Sequence, residues 1–344
     1  MAAYIADRLL IFKAYTPGII ICLTVAAAAR FLSEHYGAPQ MLFALLIGMT
    51  LHFLMEDEKC KLGVEIASKS VLRLGVALLG LRITTDQVVS IGITSVAWMA
   101  LGVFLTMGLG LILAHITGCG RKFGLLTGGS VGICGASAAL AISSTFPKDE
   151  TSERNTIFVV LSVTTLSTLA MIIYPIFCAW LDFNQQQAGL FLGGTIHDVA
   201  QVIGAGYSLS EQAGDVSTIL KLFRVSMLAP VVIGLGIAMR LWLKYASINS
   251  ANTIDERKAR VPFPLFVVGF CVLMALNSMN IIPNLIREPL VNLSSWCLVI
   301  AIAALGIKTS LKSLASVGYI PLTLMVVETA FIAVWVLLGI LFVV

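Results

Sequence analysis

The chain has 344 residues, of which 58% are hydrophobic and only 12% are charged, and its formal net charge is +4. A soluble domain carries about 25% charged residues, so this composition excludes an ordinary soluble fold and makes lipid the natural solvent. The modest positive charge suits the basic cytoplasmic loops of a membrane protein and gives no argument for nucleic-acid binding. Seven cysteines without CxxC spacing predict neither a disulfide framework nor a zinc site.

Eleven apolar segments follow one another along the chain. A transmembrane helix needs about 20 mainly apolar residues, so the sequence predicts an all-α polytopic protein with about 10–11 transmembrane helices in one domain, 1–344. The predicted segments are 17–33, 39–54, 61–82, 90–117, 121–145, 153–181, 185–208, 213–243, 262–280, 284–307 and 318–343.

The longest polar stretch, 244–262, is rich in lysine and arginine. The positive-inside rule places this loop in the cytoplasm. If every segment crosses the bilayer, the N-terminus and the basic turn at 118–122 are also cytoplasmic. The 146–154 loop and the C-terminus are then expected in the periplasm.

Internal similarities predict an inverted repeat. The similar pairs are 75–92 with 300–318, 124–135 with 189–200, and 68–81 with 220–235. The first and third pairs would run antiparallel, as an inverted repeat requires, whereas the second would run parallel if every segment crossed. We predict two inverted five-helix repeats, roughly 39–181 and 185–343, and leave their register open.

The fifth segment contains the glycine-rich stretch GGSVGICGASAALAISS at 128–144. Each glycine inside a helix costs about 0.5–1 kcal/mol relative to alanine, so this density predicts an unwound turn between two half-helices. Tight helix packing is the alternative for any one glycine pair. Irregular backbone at membrane depth is tolerated where protein buries it or a watery cavity meets it, and a half-helix N-terminus offers N–H groups to an anion. The predicted substrate-binding residues here are Gly128, Gly129, Ser130, Cys134, Gly135 and Ser137.

The seventh segment contains GGTIHDVAQVIGAG at 193–206, with His197 and Asp198 near its middle. A charge at bilayer depth is costly and usually faces a cavity where it has a function. The alternatives are a structural pair between helices or a re-entrant loop that is partly wet. A histidine beside an aspartate can bind a proton in the physiological range. We therefore predict proton or ion coupling at His197 and Asp198, and substrate binding at Thr195 and Gln201.

Five further charged side chains within the apolar segments are candidate site residues. Lys69 and Arg73 are four residues apart and Lys221 and Arg224 are three apart, so each pair shares one helix face. Such side chains either snorkel to the interface or line a path for an anion, which arginine binds as a planar fork. We predict substrate binding at Lys221 and Arg224, with Lys69 and Arg73 as further candidates. Glu328 lies midway along the last segment and is either a helix-pairing residue or a proton site.

Motifs typical of enzymes and cofactor sites do not stand out in the sequence. The sequence contains no P-loop, HExxH motif, nucleophile elbow or Rossmann fingerprint in a credible structural context. We therefore expect a non-enzyme without cofactor or metal. The expected partners are a small anionic solute and membrane lipid, with no nucleic acid, and a homodimer is one option for the assembly.

Three motifs, GGSVGICGASAALAISS, GGTIHDVAQVIGAGYS and KLFRVSMLAP (221–230), resemble the YeiH-type proteins, a family of bacterial inner-membrane proteins designated sulfate exporters. The resemblance spans nearly the whole chain. It implies a secondary carrier related to bile-acid symporters and cation–proton antiporters, with inverted five-helix repeats, a panel domain, a core domain and two broken helices that cross at the substrate site. Antiporters of this kind carry acidic residues in the helix after the first broken one, but here helix 153–181 has only Glu153, at its edge.

These observations lead to one expected function and two alternatives. We expect a secondary transporter in the bacterial inner membrane that exports a small anion such as sulfate, sulfite or a sulfonate, with proton coupling and alternating access around the broken helices. The alternatives are a sodium- or proton-coupled cation antiporter that uses Asp198 and Glu328, and a non-transporting membrane sensor or scaffold. Four basic candidates against two clear intramembrane carboxylates favour an anion, and the sequence offers no soluble output domain for a sensor.

Overall fold

The computed structural model describes residues 2–36, 39–146, 152–247, 265–309 and 319–342, and the regular structure in these ranges is helical throughout. The α-helices are α1 (Ala2–Tyr36), α2 (Gln40–Thr50), α3 (Glu58–Ile66), α4 (Leu72–Leu79), α5 (Thr85–Ser90), α6 (Ile93–Ile116), α7 (Arg121–Gly132), α8 (Ala136–Ser143), α9 (Ser152–Trp180), α10 (Gln185–Thr195), α11 (Val199–Leu209), α12 (Glu211–Ser226), α13 (Leu228–Ser247), α14 (Leu265–Ser278), α15 (Asn284–Lys308) and α16 (Tyr319–Phe342). A 3₁₀ turn at His52–Glu56 follows α2, and a π-helical turn at Ala67–Val71 joins α3 to α4.

The helices have the length and composition of a multi-pass membrane protein. Within the described ranges, six stretches are long and apolar enough to cross a membrane: Tyr15–Tyr36, Ile93–Ile116, Ser152–Trp180, Glu211–Ala238, Asn284–Lys308 and Leu322–Phe342. Each of the eleven predicted segments coincides with one helix or with a closely spaced pair of helices. The predicted all-α polytopic fold is therefore confirmed.

The fifth segment is broken, as predicted, and it folds back on itself. Helix α7 ends at Gly132 and α8 begins at Ala136, and Gly135 between them has a φ of 67°, which favours glycine. An added side chain at Gly129 of α7 would meet Ile142 of α8. Only an antiparallel pair brings these two positions together, so α7 and α8 form a re-entrant hairpin, which we call the first hairpin.

The seventh segment forms a second hairpin. Helix α10 ends at Thr195 and α11 begins at Val199. Successive glycines of α10 pack against successively later residues of α12, Gly189 on Val216 and Gly193 on Leu220, so these two helices run parallel. Helix α11 turns directly into α12 and runs antiparallel to it. Hence α10 and α11 are antiparallel, which agrees with the re-entrant alternative for this segment.

The two hairpins enter the helix bundle from opposite ends. The start of α7, the end of α8 and the start of α9 surround one cavity of about 200 Å³, at an end that carries Arg121 and Lys122 and that we call the basic end. At the other end, which we call the far end, Gln186 at the start of α10 donates to the carbonyl of Ser90 at 3.5 Å. Because Gly132 lies beside Val103, near the middle of α6, the tip of the first hairpin is at mid-depth.

The hairpins correct one prediction about topology. The 146–154 loop was expected on the opposite side from the 118–122 turn. Two of its residues, Phe146 and Ser152, however line the same cavity as Arg121. The reason is that the fifth segment returns to the end from which it entered. The similar stretches 124–135 and 189–200 therefore enter in opposite directions, which removes the objection to pairing them, while the inverted repeat as a whole stays a prediction.

Two parts of the chain that carried sequence predictions lie wholly or mostly outside the described residues. They are the 244–262 loop, of which α13 includes only the first residues, and the end of the repeat candidate at 300–318. The cytoplasmic placement of that loop stays a prediction.

The helices divide into two groups with few contacts between them. One group contains α1–α4, α14 and α15, and the other contains α6–α13 and α16. Small residues allow close approach within each group, as where Gly18 meets Gly63 and where Gly110 meets Gly124. Between the groups, α11 packs against α2 and α15, and α5 packs against α12.

The first hairpin predicts which residues share one side of the membrane. A Ser152→Cys variant should react with a membrane-impermeant thiol reagent from the same side as native Cys119, because both positions line one cavity. An Asn184→Cys variant should react from the other side. Labelling of right-side-out and inverted vesicles, read by peptide mass spectrometry, checks both. Modification of position 152 from the side of position 184 would contradict the hairpin.

Candidate functional site

Two buried cations of α12 hold the tips of both hairpins. Lys221 is 0% exposed and Arg224 is 1% exposed. The Arg224 guanidinium donates to the carbonyls of Val131 at 2.9 Å and Gly132 at 2.7 Å in the first hairpin, and to that of Gly194 at 2.6 Å in the second. We call Lys221 and Arg224 the cation pair.

Lys221 makes the same kind of bridge one turn earlier in α12. Its ammonium donates to the carbonyl of Ile133 at 2.8 Å and to that of Ile196 at 2.9 Å. These two residues directly follow the last residues of α7 and α10. Each cation therefore touches both hairpins.

The bridges have a clear electrostatic cause. The last carbonyls of a helix have no partner within it and form the negative end of its dipole. Helices α7 and α10 both end at mid-depth, where lipid provides no donors. The cation pair supplies donors and positive charge to both ends, so it stabilises two breaks that lipid alone would not tolerate.

The predicted glycines have different roles in the structure. A side chain at Gly128 would meet the backbone of Thr106 and Met107 in α6, so helix packing explains this glycine. Gly129 faces Ile142 within the hairpin. Gly135 lies at the tip, where an added Cβ would be 3.5 Å from Cβ of His197. The first hairpin tip therefore touches the second, and substrate binding at these glycines stays a prediction.

Most predicted hydroxyl groups are bonded within their own helices. The Ser130 hydroxyl donates to the carbonyl of Leu126 at 2.5 Å, and that of Thr195 donates to Phe191 at 2.6 Å. Both residues are fully buried. By contrast, Ser137 is exposed in the first turn of α8, next to buried Cys134 at the tip. The structure does not test whether any of these groups binds substrate.

The N-termini of the two returning half-helices differ. Gly135 caps α8 without a side-chain hydrogen bond. The carboxylate of Asp198, in contrast, caps α11 by accepting from the amide of Ala200 at 2.8 Å. The hydroxyl oxygen of Ser167 in α9 also accepts from the amides of His197 at 3.2 Å and Asp198 at 3.0 Å. The start of α8 therefore has no oxygen cap, and the Cys134 side chain lies against the Ala138 amide, whereas the protein's own oxygens occupy the start of α11.

Two buried polar side chains at the tips keep an atom without a partner among the described residues. His197 contacts the hydroxyl of Thr329 through Nε2 at 3.1 Å, while its Nδ1 has no partner. Gln201 donates to the hydroxyl of Thr168 at 2.8 Å, and its Oε1 has none. Buried polar atoms are usually bonded, so these two are available to a solute, a proton or water.

Glu328 connects α16 to the first hairpin. It is fully buried, and its Oε1 accepts from the hydroxyl of Thr127 in α7 at 2.8 Å. Its Oε2 is buried without a partner among the described residues. The next residue, Thr329, contacts His197. Helix α16 therefore touches both hairpins, and the structure places Glu328 near the tips without assigning it a proton.

The remaining basic candidates lie away from the tips. Lys69 and Arg73 are exposed along the α3–α4 unit, and the Lys69 ammonium is 3.9 Å from Oε2 of Glu65. Lys308, at the end of α15, bonds the hydroxyl of Ser68 at 3.3 Å and is near enough to interact electrostatically with Lys69 and Asp198. The structure therefore groups Lys69 with Lys308, near the π-helical turn, instead of with the cation pair.

Sequence reasoning missed several residues at the site, all of which are polar. Those that contact predicted site residues are Thr127, Ser167, Thr168 and Thr329, and Lys308 lies within electrostatic range of Asp198. The hydroxyl-rich run LSVTTLSTLA at 161–170 was a usable signal, since it interrupts an apolar segment. Thr329 in α16 and Thr127 in α7 belong to no such run and offered no signal of this kind.

The cation pair predicts a large stability effect. Arg224→Ala leaves carbonyls of both hairpins without donors, and each buried unsatisfied group costs about 1–3 kcal/mol. Breaking such a buried charged contact is expected to cost about 3–5 kcal/mol, read as a lower unfolding midpoint of the purified protein in detergent. Arg224→Lys should fall between, because an ammonium has three donors where the guanidinium has five and leaves some of these carbonyls unbonded.

The matched control for this prediction is Arg30→Ala. Arg30 forms an exposed ion pair with Glu34 at 2.9 Å within α1, and such pairs contribute about 0–1 kcal/mol. If Arg224→Ala has the same unfolding midpoint as the wild type and the control, the cation pair does not hold the tips.

Comparison with known proteins identifies the family. Residues 17–325 match the family model described as "Conserved hypothetical protein 698". UPF0324 membrane protein CT0845 of Chlorobaculum tepidum is 53% identical over 95% of this chain and 89% of its own length. UPF0324 membrane protein TauZ of Paracoccus denitrificans is 48% identical over 98% of both chains. UPF0324 membrane protein RB0971 of Rhizobium meliloti is 47% identical over 96% of this chain and 93% of its own length. No solved structure matches the chain.

These matches agree with the resemblance to the YeiH-type proteins. They cover nearly the whole chain, including both hairpins and the cation pair. The relatives are named membrane proteins, in agreement with the apolar helices. The chain is thus a multi-pass protein of the bacterial inner membrane and belongs to the UPF0324 family.

Proposed function

We propose that the protein is a secondary transporter that moves a small anion across the inner membrane by alternating access around the two hairpin tips. One observation carries the proposal: the tips of two hairpins from opposite ends meet at mid-depth around two buried cations. The substrate class is a small oxyanion or sulfonate, such as sulfate, sulfite or taurine. Export is the expected direction.

The architecture supports a transport role. Non-helical backbone at membrane depth is usual where a protein lines a solute pathway. Here each tip is reached from a different end of the bundle, so a solute at their junction lies between two possible routes. Few helices of the two groups pack on each other, which allows the groups to move against each other.

The charges at the tips support an anion. Lys221 and Arg224 are fully buried, and the N-cap residue of α8, Gly135, makes no side-chain hydrogen bond. The donors of Arg224 already bond carbonyls, so its contribution to an anion is mainly its positive field. Lys221 makes two bonds to carbonyls and has three donors, which leaves one N–H for a substrate oxygen.

The surroundings argue against cation antiport. At the tips, α9 presents the hydroxyls of Ser167 and Thr168, where a cation site needs carboxylates. Asp198 accepts a hydrogen bond from the start of α11, and Glu328 accepts one from Thr127. Within the described residues, no group of three or more histidine, cysteine, aspartate and glutamate side chains could hold a metal ion.

Uptake by proteoliposomes tests the proposal. The purified protein should take up radiolabelled sulfite, sulfate or taurine faster than protein-free liposomes, and an imposed pH gradient should change the initial rate. The absence of uptake for all three anions, with either polarity of the gradient, would overturn the proposal.

Asp198→Asn tests the site itself. Asparagine is as good an N-cap as aspartate, so the variant keeps the start of α11 but removes the charge. We expect the initial rate to fall about tenfold or more, the factor that about 1.4 kcal/mol produces. Arg30→Ala, remote from the tips, should transport at the native rate. A native rate for Asp198→Asn would remove this residue from the transport mechanism.

Glu328→Gln separates transport from coupling. Glutamine can still accept from Thr127 but cannot exchange a proton. If Glu328 is the coupling site, the variant should retain downhill anion flux and lose its response to the pH gradient. An unchanged response would transfer the coupling role to His197 and Asp198.

A further inference from the structure

A cluster of charged side chains joins the two helical groups at the far end. The Arg82 guanidinium is 2.7 Å from Oε2 of Glu211 and 3.2 Å from Oδ1 of Asp215. It also lies over the ring of Tyr207, 5.4 Å from its centroid, and the Tyr207 hydroxyl donates to Asp215 at 2.6 Å. We call these four residues the Arg82 cluster.

The two sides of the cluster are attached to different groups. Arg82 follows α4, and the turn that carries it is fixed to α14 by bonds from Asn277 to the carbonyl of Ile83 at 3.1 Å and from the amide of Thr85 to Ser278 at 2.8 Å. Its partners all belong to α11 and α12, the helices that complete the second hairpin and carry the cation pair. A movement between the groups at this end must therefore break these contacts.

Among the described residues, these are the only ion pairs between the two groups. The three others join neighbours on one helix: Arg30 with Glu34, Lys61 with Glu58, and Lys69 with Glu65. Towards the basic end, Lys308 of one group and Asp198 of the other are within electrostatic range but form no ion pair within 4.0 Å. Within the described residues, the ion pairs between the two groups therefore all lie at the far end.

We propose that the Arg82 cluster is the gate that closes the far end of the solute pathway, and that it breaks once in each transport cycle. The inference rests on the proposed function, because it assigns a step to alternating access at the hairpin tips. Glu211 is 82% exposed at the side chain and Arg82 is 20% exposed, so water can take over their partners when they separate. Such an ion pair is weak enough to open reversibly.

The position of the cluster supports this role. Asp215 and Lys221 lie on the same helix, six residues apart, so α12 links the gate to the cation pair. Tyr207 lies near the end of α11, the second helix of the second hairpin, and Asp198 caps the start of the same helix. A displacement of either hairpin tip is therefore transmitted to the cluster through short, rigid helices.

Hydrogen–deuterium exchange of the full-length protein in lipid nanodiscs tests the gate without a substrate. Glu211→Gln should raise the exchange rate of segments 80–92 and 205–216 about two- to fivefold, the effect of an exposed ion pair. Arg82→Ala should raise it about tenfold or more, because both carboxylates lose their partner. Exchange in α3 (Glu58–Ile66), at the opposite end of the α3–α4 unit from Arg82, should stay the same or fall as the bundle opens at the far end.

Glu34→Gln and Arg30→Ala are the matched controls. They break an arginine–glutamate pair of similar length, 2.9 Å against 2.7 Å for Arg82 and Glu211, but within α1 and not between the groups. Neither should change exchange at the far end. Glu211 is a surface side chain, so its variant is expected to fold even if Arg82→Ala does not.

The outcomes separate the gate from the transport function. If Glu211→Gln and Asp215→Asn leave far-end exchange at the control level while the wild type transports anions, the gate is wrong and the function stands. If the variants open the far end but no anion is transported, the gate is supported and the transport assignment is wrong. A uniform rise in exchange over the whole chain would mean general destabilisation and would overturn the gate.

Discussion

The structure depends on one interaction, the hydrogen bonds that Lys221 and Arg224 donate to the carbonyl ends of α7 and α10. Burying two cations at membrane depth is costly on its own. Here the cost is offset because two half-helices end at the same place and direct their unsatisfied carbonyls at the cations. Neither the breaks nor the cations would be stable without the other. This mutual dependence fixes where the two hairpin tips meet.

Local sequence signals predicted much of this arrangement. The eleven segments follow from hydropathy alone, and both breaks follow from glycine and polar residues clustered in GGSVGICG and GGTIHDVA. Lys221 and Arg224 were recognised as a shared helix face, which the structure bears out as one buried pair. These features could be predicted because helix propensity and side-chain spacing are local properties.

The remaining features depend on contacts between distant parts of the chain. Whether a broken segment crosses or folds back is decided by the helices around it, as where Gly128 packs on Met107 of α6 and Gly193 packs on Leu220 of α12. For the same reason, the predicted side of the membrane for the 146–154 loop was wrong. The bond between Glu328 and Thr127 joins residues 201 positions apart. No local pattern identifies such a partner.

The geometry changes how the candidate site is understood. An arginine and a lysine within the membrane favoured direct anion binding, but their donors mainly bind backbone carbonyls. The protein thus holds positive charge and the N-terminus of α8 together at mid-depth, next to His197 and Gln201, which keep unpartnered polar atoms. An anion that binds there would be recognised by this field and by the amides more than by a salt bridge.

Native Cys134 offers the most direct measurement of the central claim, that the meeting hairpin tips enclose a site open to solutes. It lies at the tip of the first hairpin between α7 and α8. A small anionic methanethiosulfonate should modify Cys134 in membranes, and an excess of transported anion should slow that reaction, as read by peptide mass spectrometry. Cys22 and Cys178, buried in helix packing, should stay unmodified. A Cys134 as unreactive as these two, with and without anion and pH gradient, would contradict the account.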